Sequence, residues 1–267
     1  MNTPKIQLIS LLTDFGTRDE YAGLMKGVIL SVNPLARIID ISHQIEPQDL
    51  IQAALMLRAS YSFFPKGTVH VTVVDPGVGT QRDILGAEYE GHIFLAPDNG
   101  LLSLLPEKGE FRKLVRVTNR SFFRETLSQT FHGRDIFAPV AARLAAGLSL
   151  EELGPQTDFR QIQKTEMPKA FRHGAGEIRG QIIHIDRFGN LMSNIPRTML
   201  EKSGNPEQIT VHIGTRCISG LSSAYGSVPK GHPLAIIGSR DYLEISVNCG
   251  NAMQYLGLEK GGRIRVI

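Results

Sequence analysis

Cysteine is scarce: Cys217 and Cys249 are the only two in 267 residues, which excludes a disulfide framework and any zinc site built on cysteine. Two reduced thiols packed as small hydrophobes are expected. Long hydrophobic runs are also missing. The N-terminal apolar stretch, 6–12, is too short to span a bilayer, and Asp14 ends it before a signal-peptide core with a cleavage site can form. A cytoplasmic protein without membrane association is predicted. No charge sign dominates: 29 Lys and Arg against 26 Asp and Glu leave +3, without long blocks, which argues against a nucleic-acid partner. Apart from His132, the histidines form no H-x-x-x-H pair and none stands beside a cysteine at ligand spacing, so neither a metal nor a cofactor is implied.

What is present fits a compact protein of one large or two moderate domains: 42% hydrophobic residues, with 27 Gly and 14 Pro for tight turns. Strand-like runs at 5–13, 37–41 and 68–74 alternate with helical patterns at 21–32 and from Glu46-Pro47 through Leu57. This alternation predicts an α/β fold with a mainly parallel sheet, whose ligands lie beyond the carboxyl ends of the strands. Short strands at 85–89 and 92–95 and an Ala-rich helix at 136–148 continue it. The stretch 154–176 is polar and aperiodic, which places a domain boundary there, between an N-terminal α/β domain over 1–165 and a second over 176–267. Runs at 178–185, 208–213, 233–237 and 242–247, divided by glycines, predict a smaller C-terminal β-barrel or sandwich.

Four strand ends or turns concentrate polar groups. Asp14, just past the first strand, reads either as an acceptor for a ribose diol or as an N-cap for the following helix. Val74-Asp75-Pro76-Gly77-Val78-Gly79-Thr80 lacks the Gly-Lys-Ser/Thr of a phosphate loop. Asp75 with Arg82 reads instead as a positioner of a polar reactant or as a turn held by a local salt bridge. In Phe131-His132-Gly133-Arg134-Asp135, His132 is a catalytic candidate, against a helix start supplied by Arg134 and Asp135. Asp186-Arg187-Phe188-Gly189-Asn190 offers an acceptor, a stacking face and an amide, suited to a purine or an amino acid but also to an ordinary turn.

Taken together with Ala96-Pro97-Asp98-Asn99-Gly100 and Leu243-Glu244-Ile245-Ser246-Val247-Asn248, these motifs resemble, in order and over nearly the whole chain, the S-adenosyl-L-methionine (SAM) hydroxide adenosyltransferases. Those are adenosine-forming SAM hydrolases related to the SAM-dependent fluorinase and chlorinase. The resemblance implies an N-terminal α/β domain, a C-terminal β-barrel and a homotrimer with SAM sites between subunits. It also implies roles: Asp14 on the ribose hydroxyls, Phe188 and Asn190 on the adenosine, and Asp186 with Ser239 and Arg240 on the methionine amino and carboxylate groups. The Ser239-Arg240 pair is closer to the halogenases. Asp75, Arg82 and His132 match the hydrolase triad, in which Arg82 stays cationic and His132 can become so. Gly133 stands where the fluorinase has its fluoride-binding Ser, Gln48 where it has Trp, and no insertion separates Glu90-Gly91 from His92. These departures imply water as nucleophile; a chlorinase and a non-catalytic adenosine or SAM binder are the alternatives.

Overall fold

The computed structural model describes residues 7–106, 110–174, 176–202 and 205–267. The chain forms two compact units, Met1–Glu166 and Met167–Ile267. In the first, β1 (Leu8–Thr13), α1 (Tyr21–Val32), β2 (Arg37–Ser42), α2 (Leu50–Ser60) and β3 (Val69–Val73) follow one another. Of the predicted run 5–13, residues 5 and 6 lie outside the described residues. β4 (Ile84–Tyr89), β5 (His92–Pro97), β6 (Lys113–Arg116) and α3 (Ala138–Ala146) complete the unit. The six strands lie in the order β2-β1-β3-β5-β4-β6, parallel from β2 to β5, with β4 antiparallel to both of its neighbours.

Apolar side chains alternate across this sheet and fix its helices. Ile9, Leu11 and the β3 valines 69, 71 and 73 share one core with Met25 and Ile29 of α1 and with α3. Leu12, Phe94 and Ala96 share the other with Ala53, Ala54 and Leu57 of α2. Chain order therefore reverses at β1, whose neighbours are β2 and β3, and the crevice past the carboxyl ends of β1 and β3 is where such a sheet receives ligands. The loops beginning at Asp14 and Asp75 start there.

α2 begins at Leu50 rather than at Glu46-Pro47. Gln48 adopts a left-handed conformation at φ 67°, and the Asp49 side chain caps Gln52 N, so 46–49 is a turn. The predicted helix 136–148 is shorter, because Gly133–Phe137 forms a π-turn before α3.

β1, β3 and β5 also bury a polar chain. Ser10 Oγ lies 2.6 Å from His70 Nδ1, and His70 Nε2 3.2 Å from His92 Nδ1. Burial pushes the His70 imidazole down to about 3 and lowers His92 as well. A folded-state value below the unfolded one means that the stability contribution is full above pH 6.5 and is lost as pH falls towards 3. At pH 5 the His70 contribution is about 2 kcal/mol smaller than at neutral pH. Urea unfolding at both pH values should show this loss, and His70→Asn should flatten it; an unchanged pH slope in the variant would contradict the assignment.

The second unit is an antiparallel sheet of β7 (Phe171–His173), β8 (Glu177–Ile185), β9 (Leu191–Pro196), β10 (Thr210–Ile213), β11 (Arg216–Ser219), β12 (Pro233–Ile237), β13 (Tyr242–Val247) and β14 (Arg263–Val266). Its path runs β11-β10-β14-β8-β9-β13-β12, with β7 on β8. A bridge between Ser222 and Ile236 brings the segment after β11 to β12, so the sheet nearly closes into a barrel around Ile182, Ile195, Val211, Leu243 and Ile264. Both cysteines are free and exposed rather than packed: Cys217 lies on edge strand β11, and Cys249 in the turn after β13 at φ 54°. No helix among the described residues is long and apolar enough to cross a membrane.

Candidate active site

Asp75, Arg82 and His132 are bonded in series. Arg82 Nε donates to both Asp75 carboxylate oxygens at 3.0 Å, Nη2 donates to Oδ2, and the same Nη2 lies 2.9 Å from His132 Nδ1. The Asp75 and Arg82 side chains are 4% and 10% exposed, so the pair is shielded from water. Local folding brings them together. Thr80 N and Oγ1 both donate to Gly77 O, curling the loop so that Arg82 reaches back to Asp75. Gly79, at φ 78°, packs against the carbonyl of Gln129 so closely that a Cβ would lie 2.3 Å from that oxygen. This contact sets the Asp75 loop beside the segment that carries His132. On the other side, Asp135 is fully buried, accepts from Arg134 and from Ser128 N, and anchors the π-turn after His132.

The order of donors determines the histidine tautomer. Arginine has no acceptor to offer, so His132 Nδ1 accepts the hydrogen bond donated by Arg82 Nη2 and the neutral ring carries its own proton on Nε2. Burial and then the Arg82 charge hold the His132 pKa below 6.5, with Asp75 and Asp135 pulling the other way. The expected imidazolium is thus disfavoured, because a protonated Nδ1 would face a guanidinium.

Asp14 does not cap α1: that helix starts after Glu20, without a side-chain cap. Instead Asp14 Oδ2 accepts from Gln48 N at 3.0 Å, tying the end of β1 to the turn before α2. The loop is held further by Thr13 Oγ1, 2.8 Å from His43 Nδ1, and by Gly16 N on His43 O. His43 Nε2 in turn lies 3.1 Å from Asp40, which also binds Lys26. Gly133 has little room for a side chain: a Cβ would sit 3.1 Å from Phe131, 3.2 Å from Met25 Sδ and 3.4 Å from Phe15.

In the second unit, Asp186 organises its own turn. Its Oδ1 accepts from Phe188 N and Asn190 N, and its Oδ2 accepts from Asn190 Nδ2. The turn leaves the Phe188 ring 74% exposed as an open stacking face and the Asn190 Oδ1 as that amide's remaining acceptor. Arg240 lies within the fields of Asp186 and Glu244, and burial lowers its pKa; Ser239 beside it is exposed. Glu244 also accepts from Tyr225 OH at 2.8 Å and Ser246 Oγ at 2.9 Å, and burial together with that bond pushes the Tyr225 phenol up to about 12. No role is read for Glu244 or Tyr225 in the sequence, where 19 residues separate them. Among the described residues no group of three or more His, Cys, Asp or Glu side chains could hold a metal ion.

A family model of the SAM hydroxide adenosyltransferase N-terminal domain matches residues 9–154, and one of the C-terminal domain matches 180–265. The chain belongs to the SAM hydroxide adenosyltransferase family. Within reach of this family are the (R)-S-adenosyl-L-methionine hydrolase of Thermus thermophilus, 34% identical with 97% of this chain and 99% of that one covered, and that of Salinispora tropica, also 34% identical with 97% of each covered. A fluorinase from an Actinoplanes species is 30% identical over 97% of each chain. A crystal structure of an uncharacterized conserved protein from Thermotoga maritima superposes with a TM-score of 0.89 at 36% identity, covering 97% and 99%.

Proposed function

We propose that this family member hydrolyses S-adenosyl-L-methionine to adenosine and L-methionine by in-line attack of water on C5′ of the ribose, and that it takes the R epimer at sulfur named for its hydrolase relatives. The observation that carries this reading is the Asp75–Arg82–His132 chain past the carboxyl end of β3. Water gives its lone pair to C5′, the C5′–S bond pair goes to sulfur, methionine leaves as a neutral thioether, and the O–H bond of the attacking water breaks with its proton passing to solvent. The leaving group needs no acid. His132 is oriented by Arg82 as an Nε2–H donor, so it positions the attacking oxygen and favours its hydroxide form; Asp75 holds Arg82 in place and offsets its charge. Exclusion of bulk water strengthens these interactions.

Asp14 holds the ribose diol, Phe188 and Asn190 the adenine portion, and Arg240, Ser239 and Asp186 the methionine carboxylate and ammonium. Because Asp186 is already engaged by its own turn, its part is the charge that balances Arg240. We place the working form as a cytoplasmic homotrimer in which one subunit supplies Asp14 and the triad and the next supplies the Phe188 turn. The exposed Leu24, Leu30 and Val32 of α1, with Leu35 beyond it, favour association of copies.

Asp14→Ala should raise KM about tenfold or more, the loss of a hydrogen bond to a charged acceptor, with kcat nearly kept. Asp14→Asn, which still accepts from Gln48 N, should lie between; an unchanged KM in both would remove Asp14 from the ribose. The reading as a whole is tested by incubating the protein with SAM in chloride buffer and separating the products. Adenosine and methionine in equal amounts support it. 5′-Chloro-5′-deoxyadenosine would favour a chlorinase, against which stands the packing of Phe15, Met25 and Phe131 around Gly133. Bound but unchanged SAM would indicate a binding protein.

A further inference from the structure

The outer face of the β11-β10-β14-β8-β7 sheet carries a feature that the hydrolase reading does not use. Cross-strand register places Cys217, His212, Arg265, Arg179 and Phe171 in one row across five strands. Arg263, two residues from Arg265, points to the same side because side chains alternate along a strand. These residues, with Lys169 and Arg216 at the margins, line a groove of about 850 Å³. Five of its lining side chains are permanent cations, and among the described residues no carboxylate lines it. Glu177 at its edge pairs with Arg179 at 2.5 Å and offsets one charge, while Arg263 and Arg265 stand exposed on β14.

Arg265 and Arg179 face each other on adjacent strands and like charges repel; Glu177 offsets only part of the positive charge that these two share with Arg263, Lys169 and Arg216, so the groove favours an anion laid across it. Arginine forks match phosphate oxygens in pairs. At the end of the row Phe171 is 54% exposed and gives a flat apolar face beside the charges. A single-stranded nucleic acid needs a longer track with several stacking rings, whereas one ring, several cations and a concavity of this volume fit one small ligand.

We infer that this groove binds a nucleoside polyphosphate, its phosphates on Arg179, Arg263 and Arg265 and its base against Phe171. None of the residues assigned to SAM lines it, and the inference stands whether or not the hydrolase reading holds. The test is calorimetric titration of the full protein with GTP, inorganic triphosphate and a single-stranded oligonucleotide, in excess adenosine so that no adenosine pocket competes. GTP should bind more tightly than triphosphate, and affinity should fall as salt is raised. The double variant Arg263→Glu/Arg265→Glu should lose about tenfold or more for both, since each charge-assisted bond contributes a sizeable part. Its circular dichroism and its turnover of SAM should match the parent's. Phe171→Ala should remove the preference for GTP over triphosphate. Equal binding of GTP and triphosphate by the parent, tighter binding of the oligonucleotide, no binding of either phosphate compound, or binding that survives the double variant would each overturn the inference.

Discussion

His132→Ala is expected to lower kcat on the order of 10²-fold or more while leaving KM for SAM within a small factor. The reason lies in when the residue acts. His132 meets the attacking water, whose bond to C5′ exists only in the transition state, so its loss should not weaken the bound substrate. Asp75→Asn should behave in the same direction, because an amide cannot accept both forks of Arg82 as a carboxylate does. Steady-state kinetics on SAM with adenosine quantified checks both. A His132→Ala enzyme with the parent's kcat would return the residue to the start of the π-turn and nothing more.

Arg82→Met should be costlier still, because it acts on fold and chemistry together. Asp75 is 4% exposed, and Arg82 supplies all the side-chain hydrogen bonds described for its carboxylate. Removing one partner of a buried pair leaves the other charge uncompensated, which costs about 3–5 kcal/mol. Chemical denaturation should show a loss of about that size, and turnover should fall at least as far as in His132→Ala. One signature separates the two effects. With the guanidinium gone, the His132 ring should titrate at a higher pH than in the parent, since the Arg82 charge is one of the two causes that hold it below 6.5. A His132 titration by nuclear magnetic resonance that does not move would show that Arg82 and His132 are not coupled.

The parts of the fold that were legible are those specified by local pattern. The helical pattern at 21–32 marks α1 as it is found, and the short runs at 233–237 and 242–247, set off by glycines, mark β12 and β13. Contacts between distant residues were not legible. The start of α2 rests on two contacts: Asp49 caps Gln52 N, which is local, and Asp14, 34 residues before Gln48, holds Gln48 N, which composition around Glu46-Pro47 does not reveal. The π-turn at Gly133–Phe137 reads as ordinary helix in sequence, yet it is the element that His132 immediately precedes. The cysteines were expected inside on residue type alone, but strand edge and turn geometry put both in solvent. For the candidate site, Asp75 and Arg82 lie near enough in sequence to suggest a pair, whereas the bond to His132, 50 residues on, depends on Gly79 docking against Gln129. Glu244 and Tyr225 beside Arg240 needed the barrel's strand order to come together.

The central claim is that water attacks C5′ of the ribose, and oxygen-18 water tests it most directly. SAM should be turned over in labelled water and every product examined by mass spectrometry. The account predicts one labelled oxygen in adenosine, located at the 5′ position, and methionine without label from the bond-breaking step. Labelled homoserine accompanied by methylthioadenosine would place the attack on the methionine chain instead, and would contradict it.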